Sequence, residues 1–169
     1  SFGASALSIL TEEDYFQGDV QYLIDVKNAS NLPILRKDFI IDEYQIYESK
    51  LIGADCILLI ASILNDEELK IFSQIADKLC LDYIIEVHDK DELLRVKNFS
   101  KAIIGVNNRN LKTFEVDIEN SIRLRKEFKE DNIFVSESGI KSQKDIDKLK
   151  EHNINVFLVG ESLMKGDFF

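Results

Sequence analysis

Cysteine is scarce in this chain, basic clusters are missing, and no apolar run is long enough to cross a membrane. The two cysteines, Cys56 and Cys80, cannot form a disulfide framework. Both stand in apolar surroundings, DCILLI and DKLCLDYII, and read as buried, reduced thiols of a cytoplasmic protein. No window approaches the ~20 consecutive apolar residues that a membrane helix needs. The opening SFGASALSIL has no basic segment ahead of its apolar residues, so no secretory signal is expected. It also lacks an initiator Met, and the chain reads as a processed or partial one. The net charge is −10, and Lys and Arg never form a block, which excludes a nucleic-acid surface. That charge does not exclude a small anionic ligand, because local backbone N–H groups hold a phosphate whatever the global balance. No residues show metal-ligand spacing, and no Ser/His/Asp or Cys/His set stands out. His88 and His152 read as structural or solvated side chains. No cofactor is expected.

What the chain does have is a loose repeat. Apolar runs of four to six residues end near Leu10, Lys37, Ile60, Glu86, Asn107, Glu137 and Gly160, 21 to 30 residues apart. Each interval fits one strand, one helix and two short loops. The runs are rich in Ile, Val and Leu and largely continuous, as parallel strands covered on both faces require. Between them lie helical patterns. Asn65 with Glu68, Asp89 with Glu92, and Ser142 with Asp145 each read as a cap with its partner three residues on. Leu69, Phe72, Ile75, Ala76 and Leu79 share one face at 3.6 periodicity. Val20, Leu23 and Ile24, then Tyr44, Tyr47 and Leu51, then Ile118, Ile122 and Phe128, mark three more apolar faces. Gly53 stands where a C-cap glycine belongs.

Strand alternating with helix defines an α/β protein. An open doubly wound sheet concentrates its functional residues at one switch point and commonly carries G-x-G-x-x-G after a strand. Here no such motif occurs, and polar residues end at least four runs: LRKDFI, IIEVHD, IIGVNNRN and IFVSESG. A (β/α)8 barrel brings all strand C-termini to one mouth. The expected fold is therefore of the (β/α)8 TIM-barrel family, with about seven parallel strands, and residues 1–169 read as a single, incomplete TIM-barrel domain.

Side chains alternate along a strand. Lys37 shares a face with Leu35, Glu86 with Ile84, Asn107 with Gly105, and Glu137 with Val135. If the apolar partners fill the barrel, Lys37, Glu86, Asn107 and Glu137 crown it, with Arg109 above. Singly, each would be a solvated strand end, and Lys37 with Glu86 would also suit a structural ion pair. Together they suit acid–base chemistry, because a carboxylate keeps Lys protonated while burial raises the pKa of Glu. Ser138-Gly139 and Gly160-Glu161 follow the last two runs, where barrels often hold phosphate; the carboxylate of Glu161 is expected to turn away. Phe16, Phe39, Leu58, Leu59 and Leu111 suit the flat part of a ligand, or equally well ordinary packing beneath loops.

The segments GASALSILTEEDYFQGD, LPILRKDFIIDEYQIYES, GADCILLIASIL, IIEVHDKDEL, IIGVNNRNLKTFEVD, VSESGI and FLVGESLM, in this order, resemble the indole-3-glycerol phosphate synthase family along essentially the whole chain. The resemblance implies a cofactor-independent lyase of tryptophan biosynthesis. Its substrate would be 1-(2-carboxyphenylamino)-1-deoxyribulose 5-phosphate, which ring closure, decarboxylation and dehydration turn into indole-3-glycerol phosphate. By motif, Lys37 resembles the general acid and Glu86 the proton-transfer carboxylate. Asn107 and Arg109 resemble the residues that hold the substrate and its carboxylate, and Glu137 the acid near the ribulose hydroxyls. Ser138, Gly139, Gly160 and Glu161 resemble the phosphate site. Phe16, Phe39, Leu58, Leu59, Leu111 and Leu158 resemble the aromatic-binding wall. The family's N-terminal helix, its first strand with a Glu, its second lysine and Ser-Pro-Ser segment, and its last helix have no counterpart in these residues. Feeble activity is the expectation, with the open barrel edges prone to self-association. A non-catalytic sugar-phosphate binder or assembly module on the same scaffold is the alternative. The phosphoribosyl anthranilate isomerase type, which pairs a Cys with an Asp, finds no Cys at a strand end.

Overall fold

The computed structural model describes residues 3–110 and 113–166. Among them seven strands alternate with seven helices. The chain divides into two compact units, one up to Ile84 and one from Ile85 onward, and the strand Asp82–Val87 straddles the division.

The first unit contains β1 (Leu7–Leu10), α1 (Val20–Ala29), β2 (Ile34–Lys37), α2 (Glu43–Leu51), β3 (Cys56–Ile60), α3 (Asp66–Lys78) and the start of β4 (Asp82–Val87). β1 pairs with β2 and β2 with β3, both in parallel. Leu23 of α1, Ile34 of β2 and Ala54 form one buried cluster, covered by Ile9, Val26 and Ile52. Burying a Leu or Ile side chain of this kind contributes about 1.5–3 kcal/mol. α3 behaves as its sequence predicts. Asn65 and Glu68 complete a capping box, and Leu69, Phe72, Ile75 and Ala76 are buried.

Helix α2 departs from expectation. Its aromatic stripe faces outward, with Tyr44, Tyr47 and Leu51 all exposed, and the helix buries Ile46 and Ser49 instead. The reason lies in the strand beneath. Arg36 of β2 is buried and points into α2, where its Nη1 donates to Ser49 Oγ at 3.1 Å and pairs with Glu48 Oε2 at 2.8 Å. A buried guanidinium needs oxygen partners, so the inner face of α2 is polar where it meets Arg36.

Cys80 is also a correction. It is exposed, with φ 51° in the turn that closes α3, because the residue after a helix C-terminus often adopts the left-handed conformation at the surface. Cys56 opens β3 half-buried, and burial, with Asp82 and Asp55 nearby, pushes its thiol up to about 12.

The second unit holds the rest of β4, then α4 (Lys90–Val96), β5 (Ile103–Asn107), α5 (Glu119–Glu127), β6 (Phe134–Glu137), α6 (Gln143–Lys150), β7 (Val156–Leu158) and α7 (Glu161–Lys165). β5 pairs with β6 and β6 with β7, again in parallel. β7 stops two residues short of Gly160, the predicted end. Ser142 and Asp145 form the expected capping box of α6. At α4 only half of the predicted box exists. Asp89 accepts from the Glu92 N–H, but the Glu92 carboxylate turns to His88. α5 has no side-chain cap of its own at Ile118. The Ser121 N–H in its first turn is instead satisfied by Asn108 Oδ1 at 3.0 Å, reaching across from the end of β5. None of the described helices is long and apolar enough to cross a membrane.

Candidate active site

In the first unit Lys37 ends β2, half-buried, with Nζ 5.9 Å from the centre of the Phe16 ring. Phe16 and Phe39 lie tilted against each other with centroids 4.9 Å apart. A cation beside two aromatic faces suits a flat, anionic ligand. The flanking residues fix this corner. Arg36 donates through Nη2 to Asp38 Oδ2 at 2.8 Å and through Nε to Thr11 Oγ1 at 3.0 Å. Thr11 Oγ1 donates to Asp38 Oδ2 at 2.6 Å, and the other Asp38 oxygen accepts from the Phe39 N–H at 2.8 Å. Gln45 of α2 holds the Phe39 carbonyl at 2.9 Å. Arg36 and Asp38, one on each side of Lys37, therefore anchor the backbone that carries it. Leu58 and Leu59 are both fully buried in β3. Strand alternation sends them to opposite faces, so a common wall can take only one of the two.

In the second unit the strand ends carry Glu86, Asn107 and Glu137. Glu86 and Glu137 are buried. Asn107 Nδ2 donates to Glu86 Oε1 at 3.1 Å, and Asn107 stands directly opposite Glu137 in the β5–β6 register. Asn107 Oδ1 accepts from the Arg109 N–H at 3.0 Å, which turns the chain so that Arg109 leaves the strand end at a fixed angle. The three side chains expected at one end of their strands are thus neighbours within this unit.

Beyond them opens a cavity of about 590 Å³, lined by Arg109, Ser138, Gly139, Lys141, Leu158, Gly160, Glu161, Ser162 and Lys165, among others. Ser138 (φ 65°) and Gly139 (φ 79°) are both left-handed, giving a sharp corner after β6. A Cβ on Gly139 would lie 2.3 Å from Val116 Cγ1, so glycine is required there by conformation and by space. At Gly160 a Cβ would meet nothing within 4 Å. Glu161 does not turn away. Its carboxylate joins Lys165 at 2.6 Å and lies 3.6 Å from Arg109 Nη2, and the Lys165 ammonium, then Arg109 and Lys141, hold its acidity on the strong side of normal. Leu111 lies outside the described residues.

Four contributors were not visible in the sequence pattern. Arg36 and Asp38 lie on the opposite parity from Lys37, away from the face the alternation singles out. Asn108 lies on the opposite parity from Asn107, and nothing in the string names its partners Ser121, Ser136 and Ser138. His88 lies just past β4, yet its ring comes back to Glu86, with Nε2 3.2 Å from Oε1. The one usable signal was the cluster of polar residues at 86–88 and 107–109. Among the described residues no group of three or more His, Cys, Asp or Glu is arranged to hold a metal ion.

Parallel strands joined by single helices, with the polar residues gathered at strand C-termini and glycine corners after the last two strands, define the class of α/β barrel proteins. Comparison with known families makes this specific. The family model described as Indole-3-glycerol phosphate synthase matches residues 1–168. Curated proteins of that name are similar throughout. The one from Lachnoclostridium phytofermentans is 51% identical over 163 residues, 96% of this chain and 60% of that protein. The one from Ruminiclostridium cellulolyticum is 53% identical over 163 residues, 96% of this chain and 63% of that protein. The one from Legionella pneumophila strain Lens is 48% identical over 165 residues, 98% of this chain and 64% of that protein. The chain belongs to the indole-3-glycerol phosphate synthase family, and its seven strand–helix repeats are of the (β/α)8 type. It spans about three fifths of the length of these relatives.

Proposed function

We propose that this chain carries the greater part of an indole-3-glycerol phosphate synthase site in a single, incomplete barrel domain. The reaction closes a pyrrole ring on the 2-carboxyphenylamino group of a deoxyribulose phosphate, then releases CO2 and water. It is a carbon–carbon lyase reaction and needs acid–base groups, a carboxylate anchor and a phosphate anchor, with no organic cofactor. The observation that carries the reading is the second unit's set. Glu86, Asn107 and Glu137 adjoin at strand ends, with Arg109 and two glycine corners on the cavity beside them.

Lys37 is the acid that protonates the substrate's carbonyl oxygen as the new carbon–carbon bond forms. Its place beside Phe16 and Phe39 supports contact with the flat ring. Glu86 takes the proton that leaves the newly closed five-membered ring as water is lost, Asn107 and Arg109 hold the substrate and its carboxylate, and Glu137 binds the ribulose hydroxyls. Ser138, Gly139 and Gly160 hold the phosphate, with Lys141 and Lys165 supplying charge; Glu161 must then give up Arg109 to the substrate carboxylate. Leu58 or Leu59 in the first unit and Leu158 in the second have apolar contacts with the ligand as their role. The free thiols favour a cytoplasmic setting.

The test is binding and rate together. Titrated with indole-3-glycerol phosphate, the 169-residue chain should bind, and Gly160→Asp should weaken binding at least ~10-fold by charge repulsion. The open space at Gly160 means that this substitution perturbs charge rather than packing. Turnover by this chain should be feeble. In a chain of the relatives' length, Lys37→Ala should cost about 10²–10⁴-fold in rate. Unchanged affinity in Gly160→Asp, with an unchanged rate in Lys37→Ala, would retire the reading.

A further inference from the structure

We propose that His88 is the positioning residue for Glu86: its ring, clamped as an imidazolium between Glu86 and Glu92, holds the Glu86 carboxylate aimed at Asn107. The inference rests on the reading of Glu86 as a proton-transfer group and says what holds that group in place.

The argument is one of donor and acceptor capacity. His88 Nε2 lies 3.2 Å from Glu86 Oε1, and Nδ1 lies 3.1 Å from Glu92 Oε2. The Nε2 approach has ion-pair distance without straight hydrogen-bond alignment. A neutral imidazole has one N–H and one lone pair, so one of its nitrogens would turn a lone pair on a carboxylate oxygen. Only the doubly protonated ring satisfies both sides. The side chains of His88, Glu86 and Glu92 are mostly buried, at 13%, 4% and 15% exposure.

The backbone that carries the ring is held on both sides. The His88 N–H donates to Glu92 Oε2 at 2.8 Å, and the His88 carbonyl accepts from Asn120 Nδ2 of α5 at 2.9 Å. Glu92 in turn is fixed by its own N–H on Asp89 Oδ1. The groups facing the ring are Glu86 from β4 and Glu92 from α4, while α5 presents the uncharged Asn120. Burial alone would push the imidazole down. The close contacts and charges of Glu86 and Glu92 outweigh it and push the ring up to about 9. Glu86 Oε1 also accepts from Asn107 Nδ2, so one carboxylate oxygen is shared by a cation and an amide. That sharing fixes the rotamer of Glu86.

The experiment is a pH titration of the 169-residue chain by NMR, with ¹⁵N-labelled histidine and asparagine. At neutral pH both His88 ring nitrogens should be protonated, with a midpoint near 9. Glu92→Gln keeps an acceptor for the His88 N–H and removes one charge. Both Glu92→Gln and Glu86→Gln should lower that midpoint by at least about one pH unit. The Asn107 side-chain amide should shift with the His88 midpoint and lose that step in His88→Gln, a response that a merely space-filling histidine would not give. A singly protonated ring at neutral pH, a midpoint unmoved by Glu86→Gln, or an Asn107 step that survives His88→Gln overturns the proposal. None of these readings needs turnover, so loss of ligand binding defeats the function while a silent Asn107 amide defeats only this coupling.

Discussion

Asn108→Ala removes a buried side chain that joins α5, β6 and the corner after β6. Asn108 Oδ1 accepts from the Ser121 N–H at 3.0 Å and from Ser121 Oγ at 2.8 Å. Its Nδ2 donates to Ser136 Oγ at 2.9 Å and to the Ser138 carbonyl at 3.1 Å. After truncation the two serine hydroxyls still have each other, at 2.8 Å. The Ser121 N–H is left buried without a partner, and the Ser138 carbonyl, half-exposed, recovers part of its loss from water. One full and one partial orphan, at about 1–3 kcal/mol each, predict a loss of about 2–4 kcal/mol. Against a typical domain stability of about 5–15 kcal/mol this is a large effect. Urea unfolding with an unchanged m-value measures it. Because the orphaned N–H belongs to the first turn of α5, amide exchange should accelerate there first, before the β5–β6 ladder loosens. A double-mutant cycle with Ser121→Ala should show coupling of at least about 1 kcal/mol. A loss under about 1 kcal/mol, or exchange that rises evenly over the second unit, would refute the idea that Asn108 caps α5 from outside.

Two other outcomes follow from the same unit. Gly139→Ala forces a left-handed alanine and a clash with Val116, and should cost about 2–4 kcal/mol. Adding Val116→Ala should return part of that loss, and thermal melts that show no recovery would mean that the contact with Val116 is irrelevant. His88 makes stability depend on pH. Its folded value is raised, so its contribution is complete below the ordinary histidine value of 6.5 and disappears as pH climbs through about 9. The size is at most about 3 kcal/mol. Urea midpoints should therefore decline over that alkaline window in the wild type and stay level in His88→Gln; parallel profiles would contradict the clamp.

The sequence alone determined the alternation of strands and helices, the ends of most strands and three of the helix starts. These depend on local patterns: continuous Ile, Val and Leu in strands buried on both faces, and Asn or Ser capping at fixed offsets. It also placed Lys37, Glu86, Asn107 and Glu137 at strand ends, because position along a strand is a matter of counting. Tertiary structure alone decided which face of α2 is buried. Tyr44, Tyr47 and Leu51 form a helical stripe as good as Ile46 and Ser49, and only the guanidinium of Arg36 beneath the helix tips the choice. It likewise decided that His88 returns to Glu86 and that Asn108 caps a helix thirteen residues away. Hydrogen-bond partners are chosen by proximity after folding, and a linear string does not record which donors the fold brings within 3 Å of which acceptors.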